Sequence, residues 1–160
     1  MRERRMGTSG GEPGNRLMDV VAAEGRELEA AFGRIENDTT EPAERRRLTD
    51  EILQRLERLA RGRREVLYPR VGTDVPDGAS LVDLASLGLD QVERTSREFA
   101  DLSGEEPSFL PLVKKLAFEV WEHLDEEEDE VLPALVDAIG VDAANELGDK
   151  LAEAGAAAAR

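Results

Sequence analysis

Apolar residues recur every three or four positions in four separate stretches of this chain. That spacing places them along one face of an α-helix, and a face of this kind has to be buried against another element. Period-two alternation of β-branched residues, which is typical of strands, is scarcely present. Four amphipathic helices joined by short loops pack most simply as a bundle. The sequence therefore predicts an all-α protein with an up-down-up-down four-helix bundle.

The ends of the helices are marked by local signals. The first helix is expected to end near Asn37, and the second opens at Pro42, a residue suited to a first helical turn. The Tyr-Pro pair at Pro69 is expected to close the second helix. We place the start of the third helix at about Ser80 and that of the fourth at Ser108. The residues of the four apolar stripes are, in chain order, Leu17, Val21, Leu28, Phe32, Ile35, Leu48, Ile52, Leu56, Leu59, Val66, Leu81, Ala85, Leu89, Val92, Phe99, Phe109, Val113, Leu116, Val120, His123, Val131 and Leu135.

The 160 residues suit one domain with a sizeable core. Residues 1–15 are Gly-rich, polar and without period, and we predict a disordered arm there. The bundle is assigned to residues 16–154. It includes a short fifth helix, predicted from VDAANELGDKLAEA and expected to dock on the other four. Residues 155–160 are rich in Ala and are expected to form a frayed tail.

The composition excludes several classes of protein. A formal net charge of −15 argues against binding to nucleic acid or to anionic membranes. Cysteine is absent, which excludes disulfides, thiolate catalysis and Fe–S clusters. No apolar run is long enough for a membrane span, so a cytoplasmic protein is expected, as a monomer or weak dimer. Abundant Arg, Ala and Gly indicate a bacterial source.

One layer of the predicted core is unlike the rest. In the middle of the fourth helix, the apolar stripe is interrupted by His123, the only histidine of the chain, and by Glu127. These two side chains are four residues apart and face the same way, so they could reach one metal ion together. At the same level the first helix has Gly25 and the second has Arg63. A simple alternative is a core histidine hydrogen-bonded to a neighbouring carboxylate.

Four motifs in this frame resemble those of the haemerythrin-like family, the HHE cation-binding four-helix bundles. They are EGRELEAAF from Glu24, LARGRREVLYP from Leu59, GLDQVERTSREF from Gly88 and HLDEEEDEVLP from His123. The match of the frame extends over residues 17–135. The resemblance implies the bundle fold. For the family it also implies a di-iron site used in oxygen binding or in related redox and sensing roles.

The ligands of that family site are mostly replaced. The helix positions that carry ligands in the family are occupied here by Gly25, Leu59, Arg63 and Leu89. Only His123 and Glu127 match, and two protein ligands are too few to hold two irons. The guanidinium of Arg63 stays protonated and would repel a cation. We therefore expect no cofactor. Arg63 is expected to pair with Glu127, with help from Glu24 or Asp90.

Three functions are left open by these residues. The first is a regulatory or binding module for a protein or a small ligand, with a pocket lined by the four replaced ligand positions. The second is a cofactor-independent enzyme in which His123 and Glu127 are an acid/base pair. The third is residual binding of a metal by His123 and Glu127, completed by other carboxylates such as Glu24 and Asp90. Arginines crowd the second helix and acids the fourth, which is interpreted as solvated surface rather than as a partner site.

Overall fold

A computed structural model describes residues 16–38 and 41–158 of the chain, and in these ranges it is helical without strands. Five helices follow one another. They are α1 (Arg16–Asp38), α2 (Pro42–Gly62, continued by Arg63–Leu67 and Tyr68–Asp74), α3 (Gly78–Arg97), α4 (Phe109–Glu126, continued by Glu127–Val131 and Leu132–Ile139) and α5 (Val141–Ala158). The predicted all-α bundle with a fifth helix is confirmed. The arm predicted for residues 1–15 lies outside the described residues.

Contacts between side chains show that neighbouring helices run antiparallel. Arg55 pairs with Glu27 while Arg63, further along α2, pairs with the earlier residue Glu24. Between α3 and α4 the same reversal is seen, because Lys115 pairs with Glu98 while His123 lies against the earlier residue Gly88. An up-down-up-down path of the chain produces this order.

The apolar stripes predicted from the sequence form the core. Every stripe residue of α1 and α4 is buried, and α5 adds three buried apolar side chains of its own. Burial of this apolar surface is the main force that holds such a bundle together. The three core residues of α5 are Ala144, Leu147 and Leu151.

Pro69 and Pro133 lie within continuing helices, contrary to the prediction that the Tyr-Pro pair at Pro69 closes the second helix. Each is preceded by one π-helical turn, Arg63–Leu67 in α2 and Glu127–Val131 in α4. In these turns the backbone N–H before the proline donates five residues back, from Tyr68 to Arg63 and from Leu132 to Glu127. The wider turn makes room for a proline ring that would clash in a regular helix, so the helix continues.

Helix α5 packs on α1 and α2, and a glycine permits its close approach to α1. A Cβ atom on Gly148 would lie 2.6 Å from the backbone nitrogen of Leu17. The helix continues to Ala158, so residues 155–158 are its last turn, and the frayed tail stays a prediction. Among the described helices, none is long and apolar enough to cross a bilayer.

Candidate functional site

The centre of the bundle contains an ion pair between Arg63 of α2 and Glu127 of α4. Each residue is the first of a π-helical turn, and the two turns occupy corresponding places in the two helices. Both side chains have 0% of their surface exposed. π-Turns of this kind are often found where a helix has to aim a functional side chain. Here they coincide with the two charged groups at the middle of the core.

The pairing predicted for Arg63 is confirmed, and it is made by several hydrogen bonds. Arg63 Nε donates to Glu127 Oε1 at 3.1 Å and to Oε2 at 3.0 Å, and Nη2 donates to Oε1 at 2.9 Å. On its other side, Arg63 Nη1 donates to Glu24 Oε1 at 2.8 Å. A guanidinium held by two carboxylates on different helices ties α1, α2 and α4 together at one level.

The electrostatics of the pair keep both groups charged. Burial on its own would raise the pKa of Glu127, but the charge of Arg63 and the nearby imidazole of His123 outweigh it and lower this pKa to about 2. Burial likewise would lower the pKa of Arg63, and attraction to Glu127 and Glu24 instead raises it above its ordinary value. Glu127 is therefore an ionised carboxylate at neutral pH, and Arg63 is its counter-charge.

Two further side chains complete the surroundings of Glu127. The hydroxyl of Tyr68 donates to Glu127 Oε2 at 3.4 Å, and burial, followed by the charge of Glu127, raises the pKa of Tyr68 above its ordinary value. His123 Nε2 lies 3.1 Å from the same oxygen without the alignment of a hydrogen bond. The hydrogen bond expected between His123 and a carboxylate is therefore not formed, although the two side chains are in close contact.

The remaining predicted positions are distributed around this pair. Gly25, Leu59 and Leu89 are all buried. Leu59 also lines a cavity between α1, α2 and α5, which does not include Gly25, Arg63 or Leu89. Of the two carboxylates proposed to assist Arg63, Glu24 does so. Asp90 instead accepts a hydrogen bond from the exposed Arg64 at 2.9 Å.

Three residues near the site were not found by the sequence reasoning. Tyr68, expected only to close the second helix together with Pro69, contacts Glu127. Gly88 leaves room for the imidazole, because a Cβ atom there would lie 3.0 Å from His123 Nδ1. Glu119 is buried with neither carboxylate oxygen hydrogen-bonded within the described part of the chain. Its position four residues before His123 was the one signal that could have identified it.

The donor atoms at this level are few for a metal site. Within residues 16–38 and 41–158, no three His, Cys, Asp or Glu side chains are grouped so that they could hold a metal ion. The side chains of Glu24 and Glu127 are already bonded to Arg63. The arrangement can fix helix positions and can hold charge in the core.

Comparisons with known proteins agree with this architecture. The family model described as the hemerythrin HHE cation-binding domain matches residues 16–135. A crystal structure of a hemerythrin HHE cation-binding domain-containing protein from Mycobacterium kansasii is similar in fold, with a TM-score of 0.75 and 23% sequence identity. The alignment covers 88% of this chain and 85% of that one. No match is found among curated proteins.

Proposed function

The chain belongs to the hemerythrin HHE cation-binding domain family, and we propose that in this member the cation is the protein's own Arg63 rather than bound iron. On this proposal the domain has lost the di-iron chemistry of the family. It acts as a regulatory or binding module that uses the bundle as a rigid scaffold. The observation that carries the proposal is the fully buried guanidinium of Arg63, bonded to Glu127 and Glu24.

The donor set does not fit a di-iron centre. Among the positions that carry ligands in the resembling motifs, Leu59 and Leu89 offer only hydrocarbon and Gly25 offers no side chain. Arg63 places a permanent positive charge at the same level and has 0% of its side chain exposed. A second cation bound there would have to overcome repulsion in a region of low dielectric constant.

The proposal also accounts for the survival of Glu127 in the core. A buried carboxylate without a counter-charge costs several kcal/mol or becomes protonated. Metal ions supply that charge in metalloproteins, and a buried guanidinium with bidentate geometry can supply it as well. Replacing a metal by Arg63 would let the helices keep the same spacing without any cofactor.

The two alternatives are less well supported. An acid/base role for Glu127 and His123 has in its favour the buried, unbonded Nε2 of His123 and the nearby buried Glu119. Against it, a carboxylate with a pKa of about 2 is a weak base at neutral pH. Metal binding completed by Glu24 and Asp90 would require both carboxylates to leave the arginines that they contact.

Metal content tests the proposal directly. The protein purified without chelators, and then incubated anaerobically with ferrous iron and desalted, should contain well below one iron per chain. Its spectrum after exposure to air should lack the absorption of an oxo-bridged di-iron centre. About two irons per chain, together with that absorption, would refute the proposal.

A variant with the missing donors restored is the matched positive control. It carries the substitutions Gly25→His, Leu59→His, Arg63→Glu and Leu89→His. Because these positions lie at the level of His123 and Glu127, the variant should take up iron under conditions in which the natural chain does not. Uptake by the variant alone shows that the assay detects a site in this bundle and that the side chains, not the fold, prevent binding.

A further inference from the structure

A cavity of about 470 Å³ lies between α1, α2 and α5, beside the buried ion pair. This volume is within the range of roughly 300–1,000 Å³ that is usual for small-molecule sites. Seven apolar and six charged side chains line it together. The apolar wall is formed by Val20, Ala23, Leu28, Leu59, Leu151, Ala152 and Ala156.

Most of the charged groups of the cavity are already engaged. Arg55 donates to Glu27 at 2.9 Å, and the carboxylate of Glu24 accepts from Arg63 behind the cavity wall. Arg16 donates to Asp149, which lies outside the cavity lining. These pairs leave little net charge for a ligand to use.

Arg58 is the exception among the cationic groups of this cavity. It is partly buried and lines the cavity, and it has no hydrogen bond or ion pair within residues 16–38 and 41–158. Asp19, whose carboxylate has no hydrogen bond or ion pair to another described residue, is exposed to solvent and therefore well hydrated. A partly buried arginine without a counter-ion beside an apolar wall is suited to an anion that carries a hydrocarbon chain.

We propose that this cavity binds an aliphatic monocarboxylate of medium chain length, with its carboxylate on Arg58 and its chain between α1, α2 and α5. The proposal assigns a ligand class to the binding role proposed above and rests on it. Because Glu24 is shared between the cavity wall and Arg63, the ligand would also contact the network that holds the core together. Binding is therefore expected to raise the melting temperature as well as to give a saturable titration.

Isothermal titration of the full chain with decanoate, below its critical micelle concentration, tests the assignment. Decanoate should bind saturably, hexanoate at least about 10-fold more weakly because less hydrocarbon is buried, and decyltrimethylammonium not at all. Absence of decanoate binding, or equal binding of the cationic analogue, would overturn the proposal.

Two arginine variants locate the carboxylate. Arg58→Gln should weaken decanoate binding by about 10-fold or more, the usual effect of losing a charge-assisted hydrogen bond. Arg61→Gln is the matched control, because Arg61 is an exposed arginine of the same helix that does not line the cavity. It should leave binding unchanged. Equal losses in the two variants would show non-specific attraction to the arginine-rich helix and would contradict the assignment.

A third variant locates the hydrocarbon chain independently of charge. Ala152→Leu adds bulk to the apolar wall and should abolish decanoate binding while the helical circular dichroism is unchanged. Decanoate binding that survives in this variant would place the ligand elsewhere and refute the site. Iron measured in the same samples separates the two proposals: iron-loaded protein that binds decanoate contradicts only the loss of metal, and iron-free protein that does not bind it contradicts only the ligand.

Discussion

Replacing Arg63 by methionine isolates the energetic role of the buried cation. Methionine matches the arginine stem as far as Nε, so the main change is loss of the guanidinium and of the hydrogen bonds that it donates to Glu127 and Glu24. Glu24 keeps 27% of its side chain exposed and can be hydrated, whereas Glu127 has 0% exposed and cannot. Removing one partner of such a buried pair costs about 3–5 kcal/mol of unfolding free energy.

The lowered pKa of Glu127 indicates that its charged form stabilises the folded chain. It is lowered from 4.5 to about 2 in the folded chain. At about 1.4 kcal/mol per unit, this difference corresponds to about 3 kcal/mol of stabilisation at neutral pH. This shift combines the effects of burial, Arg63 and His123, and loss of Arg63 leaves the burial of Glu127 without its main counter-charge. Arg63→Met should therefore shift the urea midpoint strongly with little change in the slope.

A double-mutant cycle distinguishes an uncompensated charge from simple loss of packing. In Arg63→Met/Glu127→Met both charges are gone, and the stability should return to within about 1 kcal/mol of the natural chain or exceed it. Arg61→Met, at an exposed position of the same helix, should change stability by no more than about 0.5 kcal/mol. The reasoning is refuted if Arg63→Met costs less than about 1 kcal/mol, or if the double variant is as unstable as the sum of the singles.

Three other predictions follow from the same contacts. Because the pKa of Glu127 is lowered in the folded chain, its contribution to the free energy of unfolding should be complete above pH 4.5 and should be lost as the pH falls towards about 2. In Arg63→Met, acidification should instead increase the free energy of unfolding, and urea unfolding at a series of pH values checks both signs. Tyr68 is the only tyrosine of the chain and its pKa is raised, so in an alkaline titration the absorbance of tyrosinate should appear only as the protein unfolds. Tyrosinate formed at about pH 10 while the circular dichroism stays helical would contradict the burial of Tyr68. Gly104→Ala should lower the free energy of unfolding, measured by heat or urea, by at least about 1–3 kcal/mol, because φ is 105° and a Cβ atom would lie 2.2 Å from the carbonyl oxygen of Pro42. A change below about 0.5 kcal/mol would show that the loop relaxes freely.

The number of helices, their apolar faces and the core layer that contains Arg63, His123 and Glu127 could all be predicted from the sequence. Residues three and four apart necessarily share a face of a helix, so the burial of Leu17, Val21 and Leu28 follows from spacing alone. The same periodicity predicts that Arg63 and Glu127 lie in the same layer of the core. Because a buried charge without a counter-charge is costly, an ion pair between them is expected.

The geometry of this ion pair was determined only by the tertiary structure. The π-helical turns at Arg63 and Glu127 depend on hydrogen bonds between residues five apart, which the spacing of apolar residues does not reveal. Because of these turns both helices continue through prolines that would be expected to end them. The choice of Glu24 over Asp90 as second partner, the contact of Tyr68 with Glu127 and the cavity beside α5 depend on rotamers and on the distances between helices. Sequence periodicity fixes which face of a helix is inside, whereas the identity of the atoms that touch there is determined only when all the helices are packed together.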